Sequence, residues 1–173
     1  MMNSPSSPPR RPEDKVIDRD KAGGVADELR EAGHTLVFTN GCYDIIHRGH
    51  VDYLTWARSQ GDVLFVGVNA DASVRRYKGD LRPINDEHAR AHVLAALECV
   101  DWVVVFEEDE PAELIGQILP HVLVKGADWA HYVSGREIVE RHGGRVALAH
   151  MTPGCSTSGI IARITEAYGK DRI

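Results

Sequence analysis

Five short apolar runs, each parted from the next by a helical pattern, leave this chain few ways to fold. The runs are Thr35–Thr39, Val63–Val68, Trp102–Phe106, His121–Val124 and Arg145–Ala149. They are continuous rather than alternating and rich in valine, as expected of strands covered on both faces. Helical patterns precede the first run at about 20–32, follow it at about 49–60, and recur at about 85–97, 135–142 and 157–168. A short helix is also expected after the second run, and another opening with Pro111 after a cap at Asp109 or Glu110. Asn85 is the expected cap of the helix near 85–97, and Ser156 or Thr157 that of the last one. Such alternation predicts an α/β fold, a doubly wound five-stranded parallel sheet with helices on both faces and right-handed crossovers. Ligands bind these sheets beyond the carboxyl ends of the strands, near the point where strand order reverses. The loops that follow strands are therefore where chemistry is expected.

The 173 residues suit one domain, placed at 14–173 behind a disordered tail over 1–13 in which four prolines stand among polar residues. A net charge of −6 argues against a general nucleic-acid partner. No apolar run approaches the roughly 20 residues of a membrane span, so no membrane partner is expected. Cys42, Cys99 and Cys155 are odd in number and lack CxxC spacing, which fits a reducing, cytoplasmic setting. His88 and His92 are spaced i, i+4 without a third ligand nearby, so no protein-bound metal is expected. The run Glu107–Glu110 reads as a solvated loop.

Four loops carry candidate chemistry. The first, Thr39-Asn40-Gly41-Cys42-Tyr43-Asp44 through His47-Arg48-Gly49-His50, leaves the first strand and enters a helix. Gly41 permits a tight turn, and backbone N–H groups there can cradle phosphate oxygens. His47 and His50 fall on one face of a first helical turn, where the helix dipole favours anions. Two imidazoles so placed can donate hydrogen bonds to a phosphoryl group whose charge grows in a transition state. A lone histidine would more often cap or pack the helix; the His-x-Gly-His pattern directly after a strand favours phosphate. The second loop carries Lys78 and Arg82 as ligand contacts and Arg76 as a solvated charge. The third places Lys125, Gly126 and Asp128 at the end of the fourth strand, with Trp129 either core or a wall for a base. In the fourth, Ser156, Thr157 and Ser158 open a helix, more hydroxyls than one cap requires, and Arg163 can reach back toward them.

Together these loops resemble the cytidylyltransferase-like nucleotidyltransferases with an HxGH motif, and within them the heptose 1-phosphate adenylyltransferase module of ADP-heptose synthesis. The stretches FTNGCYDIIHRGH, SVRRYKG with RPI, LAALECVDWVV, VLVKGADW, GREIVE and the STS helix start carry the likeness, over about Asp18 to Ile164. It implies a Rossmann-like sheet and transfer of AMP from ATP to a sugar 1-phosphate, foremost D-glycero-β-D-manno-heptose 1-phosphate, with release of pyrophosphate. His47 and His50 would stabilise the transition state at the α-phosphorus, with Lys78 placing the acceptor phosphate. Thr39, Asn40, Gly41, Cys42, Tyr43, Gly49, Lys125, Gly126, Asp128, Ser156, Thr157 and Ser158 would hold the nucleotide. Asp44, Arg82 and Arg90 would join Lys78 on the acceptor side, Asp44 by ordering its loop. Mg²⁺ would arrive with the triphosphate, and a homodimer is expected. His88 and Ala89 replace an acidic pair usual before the matching arginine, Gly159 replaces lysine or alanine, and Cys155 replaces a common aromatic. The heptose enzyme is often fused to a sugar kinase domain, which is not seen here, so a standalone transferase is expected. Two other readings stand beside this one: a cytidylyltransferase acting on another phosphorylated alcohol or sugar, and a nucleotide-binding regulatory module without turnover.

Overall fold

The computed structural model describes residues 10–129 and 131–169. Five strands, β1 (Leu36–Gly41), β2 (Val63–Asn69), β3 (Trp102–Phe106), β4 (Val122–Gly126) and β5 (Arg145–Ala149), form one sheet. Its order is β3-β2-β1-β4-β5 and every pairing is parallel. Seven α-helices are described: α1 (Arg19–Glu31), α2 (Arg48–Arg58), α3 (Asp71–Lys78), α4 (Glu87–Ala95), α5 (Ala112–Ile118), α6 (Arg136–Arg141) and α7 (Thr157–Tyr168).

The continuous apolar runs are explained by two cores, one on each face. Leu54 and Ala57 of α2 and Ala91, Leu94 and Ala95 of α4 pack on Val37, Leu64, Val66 and Val124. Ala22 and Ala26 of α1, Leu114, Ile115 and Ile118 of α5, and Val139 of α6 pack on Leu36, Phe38, Phe65 and Leu123. Alternate residues of each strand face opposite cores, so the strand interiors are apolar and the polar residues Thr39, Asn40, Asn69 and Lys125 come toward the carboxyl ends. Helix α7 has no buried residue.

Strand order reverses between β1 and β4, and the two strands part there. Only Val37↔Val122 and Phe38↔Leu123 are paired. Beyond them Thr39–Gly41 pair with β2 alone and Val124–Gly126 with β5 alone. The crevice predicted by the switch-point rule is this divergence.

Several boundaries differ from the expectations. Asn40 and Gly41 end β1 rather than lie in a loop, and Arg75, Arg76 and Lys78 belong to α3. Asp86, not Asn85, caps α4, its carboxylate accepting from the Ala89 N–H; Asn85 is drawn away to Asp44, as described below. Pro111 itself occupies the N-cap position of α5. Residues 1–9 of the expected tail lie outside the described residues. From Arg10 the chain is placed along the outer strand: the Arg10 guanidinium lies 3.9 Å over the Trp102 ring, Pro12–Asp14 form a 3₁₀ turn, and Val16 bridges Val103. This segment covers an otherwise open sheet edge.

Candidate active site

At the carboxyl ends of the strands lies a cleft of about 750 Å³, within the range of small-molecule sites. Its floor is the loop from β1 into α2. His47 holds the extended N-cap position of α2, and its carbonyl accepts from the His50 N–H at 2.9 Å. The two imidazoles stack, with centroids 3.8 Å apart and planes 17° from parallel. Gly49 makes this possible. A Cβ there would stand 2.8 Å from the Cys155 Cβ and 3.2 Å from the His47 ring. Tyr43, at φ 48°, folds its ring over Gly41 and sets its edge against His50 at 5.2 Å.

Burial lowers the pKa of both histidines, and for His50 burial and the neighbouring His47 bring it down to about 4. Both rings are therefore neutral near pH 7. The Nδ1 atoms of both are buried and find no hydrogen-bond partner among the described residues. A buried polar atom without a partner is costly unless a ligand supplies one.

Two side-chain bridges span the divergence of β1 and β4. Tyr53 of α2 shares a hydrogen bond with Thr39 Oγ1 at 2.7 Å and donates to the Val124 carbonyl at 3.2 Å. The Lys125 ammonium donates to Asn40 Oδ1. Burial pulls Lys125 down to about 8, so its proton is held less tightly than on an exposed lysine.

On the β2 side, Lys78 ends α3 and lines the cleft; it makes no hydrogen bond or ion pair among the described residues. Asp44 is buried, and its carboxylate accepts from Arg82 Nε (2.5 Å), the Ile84 N–H (2.8 Å) and the Asn85 N–H (3.0 Å). It thereby ties down residues 82–85. On the β5 side, Ser156 caps α7 by accepting from the Gly159 N–H at 3.0 Å, while Thr157 and Ser158 line the cleft.

The cleft thus gathers Asn40, Gly41, Cys42, Tyr43, Asp44, His50, Lys78, Arg82, Lys125, Gly126, Asp128, Thr157 and Ser158 of the expected residues. Trp129 also lines it, half-exposed in a 3₁₀ turn after β4 rather than in the core. Thr39, Gly49 and Ser156 act from behind the wall, through the bridge, the gap and the cap just described. Arg90 departs from its expected place on the acceptor side. Its side chain is fully buried and donates to the carbonyls of Asn85 (3.0 Å), Cys42 (2.6 Å) and Asn69 (2.8 Å) and to Asp71 Oδ1 (2.7 Å). A guanidinium so occupied joins three loops and has no face for a ligand.

The sequence reading missed residues on the far wall. Asp109 and Glu110 are exposed, as read, and also line the cleft with Tyr77, Tyr132 and Ser134. The rule that loops after strands carry function applies equally to β3 and would have found the two acids. Tyr132 and Ser134 gave no such signal, because they lie several residues beyond β4.

The comparisons with known proteins agree with this geometry. The chain is 51% identical over 155 residues to the Bifunctional protein HldE of Pelobacter propionicus, covering 89% of this chain and 32% of that protein. It is 50% identical over 157 residues to the Bifunctional protein HldE of Mesorhizobium japonicum, covering 90% and 32%. The chain spans about a third of the length of these curated relatives. Among solved structures, a lipopolysaccharide core biosynthesis protein from Thermoplasma volcanium superposes with a TM-score of 0.57 at 27% identity, over 69% of this chain and 98% of that one. A pantoate-beta-alanine ligase from Francisella tularensis, TM-score 0.59 at 13% identity over 91% and 81%, shares the fold. The Cytidylyltransferase-like family model matches residues 38–163, which contain every residue that lines the cleft. With that match and the stacked His47–Gly49–His50 floor beneath it, the chain belongs to the cytidylyltransferase-like family of nucleotidyltransferases.

Proposed function

We propose that the chain transfers AMP from ATP to a sugar 1-phosphate, foremost D-glycero-β-D-manno-heptose 1-phosphate, giving ADP-heptose and pyrophosphate. The observation that carries this reading is the stacked, neutral His47–His50 pair with unpartnered Nδ1 atoms, whose His50 lines a cleft shared with Lys78 and the hydroxyl-bearing start of α7. An acceptor phosphate oxygen attacks the α-phosphorus in line. The new P–O bond forms as the bond to the β-phosphate oxygen breaks, and pyrophosphate leaves. Positioning and charge stabilisation carry such a step without a covalent intermediate. Lys78 attracts the acceptor phosphate, while Thr157, Ser158 and Lys125 receive the triphosphate. Of the cleft carboxylates, Asp128 alone accepts no protein hydrogen bond among the described residues, and it would assist in holding a Mg²⁺ ion that arrives with the triphosphate. Such an ion would supply positive charge against the departing pyrophosphate.

The heptose acceptor is supported by the KGADW and ECVDWVV stretches. It is also supported by the 27% identity to the lipopolysaccharide core biosynthesis protein of Thermoplasma volcanium. Relatives described as bifunctional are three times as long, which fits this chain to one unit of them. Among the described residues no helix is long and apolar enough to cross a membrane. We take the working form as a cytoplasmic homodimer.

Pyrophosphate release with ATP, Mg²⁺ and heptose 1-phosphate tests the reading, alongside His47→Ala. Heptose-dependent release that falls about 10²–10³-fold in the variant is expected, by analogy with loss of one oxyanion donor. Release with CTP and another phosphorylated alcohol instead would replace the acceptor and the base. Nucleotide binding without release on any phosphate would make the chain a regulatory module.

A further inference from the structure

We infer that Glu110, held in place by Tyr132 and Ser134, reads the hydroxyl groups of the acceptor, so that this site selects a polyol phosphate over apolar or further-charged phosphate esters. The inference rests on the transferase reading above. Sheet order divides the cleft at the β1–β4 divergence. The ends of β4 and β5 and the start of α7 offer the triphosphate an ammonium, hydroxyls and free helix N–H groups. The ends of β2 and β3 and helix α3 form the other half, which is left for the acceptor.

In that half the positive charge is nearly all committed. Arg76 pairs with Asp109, Arg82 with Asp44 and Arg90 with Asp71. Lys78 remains, enough for one phosphate. The Glu110 carboxylate lines the same cleft. Tyr132 Oη donates to both of its oxygens at 3.0 and 2.9 Å, and Ser134 Oγ donates to Oε2 at 2.9 Å. Glu110 lines the cleft together with Lys125, from the end of β4, and Tyr77, from α3.

A carboxylate in the wall of a cleft that takes two phosphorylated ligands repels both of them. Ionised, it accepts hydrogen bonds and donates none. The ligand group that satisfies it is a neutral donor, and on a phosphate ester that means hydroxyl. Two protein donors use about half of the roughly four lone-pair positions of a carboxylate, fix its orientation, and leave the rest free. An anionic or aliphatic acceptor would meet repulsion or an undesolvated charge at the same place.

The test compares wild type, Glu110→Ala and the double variant Tyr132→Phe/Ser134→Ala, with heptose 1-phosphate and its monodeoxy analogues as acceptors. For Glu110→Ala, kcat/KM for heptose 1-phosphate should fall about ten- to hundredfold, the worth of hydrogen bonds to a charged group, chiefly through KM. KM for ATP should stay within about twofold. The deoxy analogue that lacks the hydroxyl met by Glu110 should lose nothing further. The double variant keeps the carboxylate and should lose less than Glu110→Ala. Equal losses in the two variants would make Glu110 only a tie between loops, and an unchanged ranking of analogues would remove its contact with the acceptor; either overturns the inference alone. No turnover of any sugar phosphate by wild type would overturn the proposed function and this inference with it.

Discussion

Replacing Arg90 by Met tests whether this arginine builds the site from behind or touches the ligand. Methionine keeps most of the apolar stem and removes all five donors. The carbonyls of Cys42, Asn69 and Asn85 and the Asp71 carboxylate then lose their partner at once. The Arg90 side chain is 0% exposed and Asp71 20% exposed, so water replaces little of what is lost. Breaking a buried ion pair by removing one partner costs roughly 3–5 kcal/mol. We expect about 4 kcal/mol here, which at 2–4 °C per kcal/mol for a domain of this size lowers Tm by roughly 8–16 °C. Arg90→Lys should recover less than half, because one ammonium cannot span four acceptors on three loops. Urea unfolding and calorimetry measure both variants. If Arg90→Met stays within about 1 kcal/mol of wild type while KM for the acceptor rises steeply, the clamp reasoning is wrong and Arg90 binds substrate.

Three further expectations follow from the same geometry. Gly49→Ala forces a methyl against Cys155 and the His47 ring, so it should cost about 1–3 kcal/mol by overpacking and at least about tenfold in kcat; adding Cys155→Gly should return part of both, and no return would place the clash elsewhere. His50 sits at about 4 in the fold against its ordinary 6.5, so the unfolded chain takes up the proton first as pH falls. The stability owed to its neutral ring is complete above about 6.5 and is lost as pH falls through about 4; urea titrations at pH 7 and 4.5 should show a flatter loss in His50→Gln, and an identical slope would count against the burial of that ring. Lys125, at about 8, is charged below that pH and neutral above it, so ATP affinity measured by calorimetry should weaken from pH 7 to 9.5. Lys125→Met should abolish that dependence, and its persistence would assign it to another group.

Periodicity and residue type were enough for the strands and helices, because a strand buried on both faces must be apolar at every position, and Val63–Val68 has no other reading. They were also enough for the phosphate loop, since His47, Gly49 and His50 lie within four residues and local geometry alone brings them together. What depends on distant partners was not legible. Arg90 reads as a ligand cation until Cys42, Asn85 and the β2–α3 junction of Asn69 and Asp71 are seen to surround it. Asp109 and Glu110 are solvated as read, but that they line the cleft shows only once Arg76 of α3 and Tyr132 and Ser134 are placed beside them. Asn85 reads as a cap until Asp44, 41 positions away, claims its backbone. Short-range order is written in neighbouring residues, whereas the choice among hydrogen-bond partners is made by packing that joins residues far apart in the chain.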